Sequence, residues 1–263
     1  MTSGFTELAS VDGAITPTGE AMVPLKDDGL YRGDGAFEVI RLYQGRPFAL
    51  TDHLDRLQRS GAAIEMEFDR PALEAEIAAL LATAGAVEGQ LRLIVTRGGR
   101  RIAATEPIPA HAETVTVATV TYSTTIILEG VKSLSYAANM QATRLAKARG
   151  ADEAVLVRPD GTVLEPPTSS IFWVSPEGSL RTSALSDGVL ESITRDRLVK
   201  TLDVEEGTWQ VDDLRAAGEA FLASTTREIQ AVAAIDGRQL ANAPGPRTHE
   251  AQQAFAATLE KEL

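Results

Sequence analysis

From Thr114 to Gly130 the chain reads TVTVATVTYSTTIILEG, a β-branched run almost without charge, and Lys132 follows it after a single valine. Val, Ile and Thr suit a pleated, half-buried surface and lose side-chain freedom in a helix, so this run predicts a sheet strand. A sheet strand of this kind needs cover from other layers, and the rest of the chain must supply it. A lysine at the end of such a run has two physical readings. Its ammonium snorkels to solvent, or an apolar junction keeps it for its amine.

The flanking segments alternate between strand-like and helix-like patterns. ELASVDGAITP has a central Asp12-Gly13 turn signal, and FEVIRLYQGRPFAL reads as a hairpin around Gln44-Gly45. LTDHLDRLQRSGAAI predicts a helix with Thr51 as its N-cap, and PALEAEIAALLATAGA a second helix from Pro71 to Gly85. QLRLIVTRGG and ETVTVATVTY return to strands. In the second half a helix over 139–149 ends at Gly150, EAVLVRPDGTVLE turns at Asp160-Gly161, and SSIFWVSPEGSLRT forms a strand pair. SITRDRLVKTL predicts a short helix, DDLRAAGEAFLAS a helix running into a strand, IQAVAAIDGRQLA a hairpin, and THEAQQAFAATLEKEL a C-terminal helix. The pattern is α+β. It divides near Tyr122–Thr125 into a smaller N-terminal domain over 1–121 and a larger C-terminal domain over 122–263 that carries Lys132.

Composition excludes several function classes. With 25 basic and 37 acidic residues the net charge is -12, which disfavours nucleic acid and anionic membranes as partners. There is no cysteine, so thiolate metal sites and disulfides are excluded and a reducing, cytoplasmic setting is expected. His53, His111 and His249 lack metal-ligand spacing, so no metal is expected. MTSGFTELAS has neither the basic nor the apolar region of a signal peptide, and no apolar run approaches a membrane span.

Five segments carry a resemblance: RGDGAFEVIRLYQGRPFALTDHLDRL, VKSLSY, GADEAVLVRPDGTVLEPPTSSIFWV, GVLESITRDRL and STTREIQAV. In this order, over nearly the whole chain, they resemble the class IV aminotransferases, pyridoxal-phosphate enzymes of fold type IV. That group includes branched-chain and D-amino-acid aminotransferases, (R)-amine transaminases and aminodeoxychorismate lyase. The resemblance implies a two-lobed D-amino-acid aminotransferase-like fold, with pyridoxal 5'-phosphate between the lobes, and a homodimer with shared active sites.

Residue by residue, the match makes Lys132 the Schiff-base lysine that moves the Cα proton. Glu165 becomes the acid partner of the pyridine nitrogen, and Arg56 the phosphate arginine. Ile193 and Thr194, at a helix start, supply phosphate donors, as do Ser224 and Thr225. Tyr136 matches a tyrosine that hydrogen-bonds the ring hydroxyl, and Leu190 a leucine that packs on the ring. Around the substrate the expected residues are Arg32, Phe37, Arg92 and Thr226, with Arg32 and Arg92 as a carboxylate clamp.

The chain also departs from the family pattern. Relatives often have Glu-Gly-Ser where this chain has Glu165-Pro166-Pro167, and proline removes a backbone donor. The Arg-x-His carboxylate trap of Bacillus-type D-amino-acid enzymes is replaced by Ile102 and Ala104. The expected activity is amino transfer from an amino acid, with D-amino acids favoured and branched-chain ones possible, to an α-keto acid. Aminodeoxychorismate lyase, releasing pyruvate and 4-aminobenzoate, is the alternative, and a non-catalytic ligand-binding relative the remote one.

Overall fold

Both turn dipeptides of the N-terminal half are hairpin turns in the computed structural model of the chain, which describes residues 7–263. The first six residues of the stretch read for a leader lie outside the described residues. β1 (Leu8–Val11) and β2 (Ala14–Pro17) are joined by Asp12 at φ 51 and Gly13 at φ 90, the positive pair that matches strand twist. After α1 (Asp28–Arg32), β3 (Gly35–Tyr43) turns through Gln44-Gly45 into β4 (Arg46–Pro47). A Cβ on Gly45 would stand 2.4 Å from the Gly85 carbonyl oxygen, so the position excludes larger residues.

α2 (Leu50–Ala63) and α3 (Arg70–Ala84) follow, then β5 (Gly89–Thr96) and β6 (Arg101–Glu106). Asp69 caps α3 by accepting from Ala72 N–H, and Gly85 ends it. Thr51 is not the N-cap of α2. Ala49, in left-handed backbone after β4, holds that place, so Thr51 falls inside the first turn.

The first sheet runs β2-β1-β6-β5-β3-β4. One face buries Ala36, Ile40, Leu42, Leu91, Leu93 and Val95 against Leu54 and Leu57 of α2 and Leu73, Ile77 and Leu80 of α3. By strand alternation the other face carries Phe37, Val39, Arg41, Arg92 and Ile94.

The second sheet is assembled around β7 (Thr114–Thr121). α4 (Ala137–Ala148), β8 (Glu153–Val157), β9 (Ser170–Val174), β10 (Leu180–Ser183) and α5 (Ile193–Thr201) come next. β11 (Glu205–Gly207), α6 (Val211–Arg215), β12 (Glu219–Ser224), β13 (Glu228–Ile235), β14 (Arg238–Gln239) and α7 (Pro246–Glu262) complete the chain. The order is β11-β10-β9-β12-β13-β7-β8, with β14 on β13. β7 pairs in parallel with both β13 and β8. Its Val115 and Val117 enter one core cluster while Ala118 and Val120 enter another, so both faces are covered. That accounts for its lack of charge.

The division into units differs from the one expected. The first unit extends to Ala110 and takes in Val131–Tyr136 and Glu262–Leu263, while the second comprises His111–Gly130 and Ala137–Lys261. β7 belongs with the second unit because its hydrogen-bonded neighbours are β13 and β8. Lys132 belongs with the first, because Ser133 bridges Ala36 on the edge of β3.

Candidate active site

Lys132 is held by its main chain from two sides. Phe37 N–H donates to the Lys132 carbonyl at 3.0 Å, and Leu134 N–H donates to Gly35 O at 2.9 Å. The Lys132 N–H in turn donates to Ser60 Oγ on α2 at 3.2 Å. These bonds lay the VKSLSY segment along β3 and leave the side chain to be placed by its surroundings. Its Nζ lies 4.3 Å from the Phe37 ring centroid and 5.9 Å from that of Tyr136. The two rings meet edge to face at 5.3 Å. Lys132, Phe37 and Tyr136 therefore form one group, with an amine over an aromatic face.

Arg56 lies in the same unit within a buried polar cluster. Its Nε and Nη2 donate to the two oxygens of Glu38, each at 2.7 Å, and His53 Nδ1 lies 2.8 Å from Glu38 Oε2. Burial alone would raise the Glu38 carboxyl. The Arg56 charge and hydrogen bonds, with help from His53, instead bring it down to about 2. Burial lowers the His53 pKa, and the Arg56 and Lys132 charges add to this against the opposing pull of Glu38. A neutral His53 with its proton on Nδ1 donates to Glu38.

Sequence reasoning missed Glu38 and His53, although both left a signal. Glu38 interrupts the apolar side of β3 between Ala36 and Ile40, and His53 stands one helical turn before Arg56.

The second unit carries the remaining expected cofactor residues. Glu165 Oε1 accepts from Leu190 N–H at 2.8 Å, which brings those two residues together and aims the carboxylate. Its backbone is held by the hairpin with β8, where Leu156 N–H donates to Glu165 O at 3.1 Å. Pro166 and Pro167 are buried and add no N–H donor. Ile193 and Thr194 open α5, and Ser192 caps it by accepting from Arg195 N–H at 3.3 Å. The first N–H groups of a helix have no partner within it and attract anions. Ser224, Thr225 and Thr226 form the turn from β12 to β13, and Ser224 Oγ accepts from Arg227 N–H at 3.4 Å. Arg227 is itself anchored by Glu153 at 2.6 Å.

The carboxylate clamp is not assembled. Arg32 pairs with Asp28 one helical turn away, and its side chain is 71% exposed. Arg92 is held by both oxygens of Glu106. Each guanidinium already has a carboxylate, and Asp34, a possible partner for Arg32, is taken by Arg97.

The donor chemistry fits pyridoxal phosphate. A held amine, a carboxylate fixed by a backbone N–H, a helix N-terminus and a hydroxyl-bearing turn are the groups its aldehyde, pyridine nitrogen and phosphate require. The family model described as amino-transferase class IV matches residues 35–235. A D-alanine aminotransferase from Bacillus licheniformis is 32% identical over 268 residues, covering 93% of this chain and 94% of its own. Among solved structures, the branched-chain aminotransferase of Thermoproteus uzoniensis with norvaline has a TM-score of 0.86 at 30% identity, covering 98% of this chain and 96% of its own. A hypothetical aminotransferase from Mycobacterium tuberculosis in its PLP-bound form has a TM-score of 0.86 at 26% identity, over 97% of this chain and 99% of its own. The chain therefore belongs to the class IV aminotransferases of fold type IV, and it is a pyridoxal-phosphate-dependent enzyme that transfers amino groups.

Proposed function

We propose that Lys132 is the catalytic amine, and that the donors are amino acids, D-amino acids favoured and branched-chain ones possible. The acceptor is an α-keto acid. The observation that carries the assignment of Lys132 is its Nζ over the Phe37 ring, on a segment pinned by main-chain hydrogen bonds. Similarity to the Bacillus licheniformis D-alanine enzyme and the Thermoproteus uzoniensis branched-chain enzyme supports the substrate class and favours transfer over the lyase alternative.

Bound pyridoxal phosphate supplies a sink for the electrons left when the substrate loses its Cα proton. Lys132 Nζ would hold the cofactor's aldehyde carbon in the resting enzyme, and once the substrate's amine had replaced it there the freed Nζ would carry the Cα proton. Glu165, oriented by Leu190 N–H, would keep a proton on the pyridine nitrogen through its negative charge. Arg56, Ile193, Thr194, Ser224 and Thr225 would hold the phosphate, and Leu190 would pack on the ring. Tyr136 would hydrogen-bond the ring hydroxyl. Phe37 would supply an apolar wall for the substrate, and Thr226 a polar contact.

We place the enzyme in the cytoplasm, where a chain without cysteine is at no disadvantage, and read it as a homodimer. Exposed apolar side chains at Met22, Leu25, Leu30, Ile126 and Ile127, the first 84% and the last 82% accessible, support burial against a second copy.

A half-reaction screen tests the function. Holoenzyme is mixed with D-alanine, L-leucine or an (R)-arylamine, and conversion of the cofactor to its amine form is followed by absorbance. D-Alanine is expected to react fastest. No conversion by any donor, together with release of 4-aminobenzoate from aminodeoxychorismate, would replace this reading with the lyase.

A further inference from the structure

The three-residue turn 225–227 joins β12 to β13, where Ser224 pairs with Glu228. Glu228 sits at φ 55, in left-handed backbone that a residue other than glycine keeps only when its surroundings impose it. Ser224 Oγ accepts from Arg227 N–H at 3.4 Å, a long bond that is too weak to impose this shape alone. Because that oxygen accepts from the turn, its own proton is left to be donated outward.

The Arg227 side chain supplies the rest. Its Nη1 donates to Gln230 Oε1 at 2.9 Å and its Nη2 to Glu153 Oε2 at 2.6 Å. Gln230 is on β13, and its Nε2 donates to Ala112 O at 2.7 Å, just before β7. Glu153 opens β8, two strands away from β13, and its other oxygen accepts from Thr143 Oγ1 on α4 at 2.7 Å. One guanidinium thus ties the turn to three strands and a helix. The Arg227 and Glu153 side chains are only 12% and 6% exposed, so solvent screens their attraction little. Glu153 already matches the positive charge, which leaves Arg227 ill suited to be the counter-charge of an anion at the turn.

We propose that Arg227 is a positioning residue: clasped by Glu153 and Gln230, it holds the turn in the shape in which Ser224 and Thr225 meet a phosphate, without binding that phosphate itself. The inference rests on the reading of Ser224 and Thr225 as phosphate donors. Donors fixed beforehand bind an anion without the cost of ordering them at that moment. A planar guanidinium can take two partners at once, whereas a lysine ammonium is a point charge on a flexible stem.

Removal of Arg227 alone would strand Glu153 in the core. The test therefore uses Arg227→Met/Glu153→Gln, which leaves no unpaired charge, and Arg227→Lys, which keeps the charge but loses the fork. The full-length enzyme is reconstituted with pyridoxal phosphate or with pyridoxal, which lacks the phosphate. Equilibrium dialysis gives each affinity, and the melting temperature of the cofactor-free chain is recorded alongside. Both variants are expected to bind pyridoxal phosphate roughly tenfold more weakly, about the worth of one hydrogen bond to a charged group. Pyridoxal should stay within about threefold of wild type. Wild-type affinity for pyridoxal phosphate in either folded variant overturns the proposal, and Arg227→Lys carries the test if the double variant does not fold. An equal loss for the two cofactors overturns it as well, since that marks a general defect of the sheet. Failure of the underlying reading shows separately: Ser224→Ala/Thr225→Val, with the Arg227–Glu153 pair intact, would then leave the preference for pyridoxal phosphate over pyridoxal unchanged.

Discussion

Both oxygens of Glu38 accept from Arg56, at 2.7 Å each, and both side chains are buried in the core of the first unit. A buried pair of this kind costs solvation, and the loss of one partner strands the charge of the other. Glu38→Gln is therefore expected to destabilise the apoprotein by roughly 3–5 kcal/mol in urea unfolding. The double variant Glu38→Met/Arg56→Met should recover most of that loss, because no charge is then left in the core. A single variant within about 1 kcal/mol of wild type would show that the pair does not carry this energy.

Acid should act on the same cluster in two stages. The folded-state pKa of His53 lies below 6.5, so the unfolded chain takes up a proton first and stability falls as pH drops below 6.5. Glu38, held at about 2 against an ordinary 4.5, contributes stability that is complete above 4.5 and is lost as pH falls toward 2. Melting temperature recorded against pH should show both stages, and His53→Gln should remove the upper one. An unchanged profile in His53→Gln would assign that stage elsewhere.

Lys132→Ala should abolish turnover and leave the fold intact. The hydrogen bonds from Phe37 and to Ser60 use the main chain of residue 132, so alanine preserves them. What is lost is the amine and a cation–π contact, the latter roughly 0.5–2 kcal/mol. Borohydride treatment followed by mass spectrometry should find the cofactor fixed to wild type and absent from the variant. Activity retained without an added amine would exclude Lys132 as the catalytic residue.

Glu165→Gln should still accept from Leu190 N–H but no longer favour a protonated pyridine nitrogen. The half-reaction is expected to slow by about a hundredfold or more, while cofactor affinity changes by less than tenfold. Stopped-flow absorbance gives the first quantity and equilibrium dialysis the second. Wild-type rates in the variant would remove Glu165 from the mechanism.

Arg32→Ala should alter amino-acid affinity by no more than about threefold, because an exposed ion pair within one helical turn contributes little. Titration of D-alanine into the holoenzyme measures this. A loss of tenfold or more would restore Arg32 to the substrate carboxylate.

Local chemistry alone determined much of this protein. The Asp12-Gly13 and Gln44-Gly45 turns, the helix from Pro71 to Gly85 and the strand through Thr114–Thr121 were legible because backbone preference and hydrophobic period act over a few residues. The ordered motifs singled out Lys132, Glu165 and Arg56 as a set, and the Lys132 and Glu165 variants above test two of those roles. Only the tertiary structure decided which unit holds Lys132, since its bond to Ser60 spans 72 positions and its segment docks on an edge of β3 that no local pattern announces. It also decided that Arg32 and Arg92 face separate carboxylates, and that Glu38 and His53 surround Arg56. A charge seeks the nearest opposite charge in space, and strand register between distant segments sets which one that is.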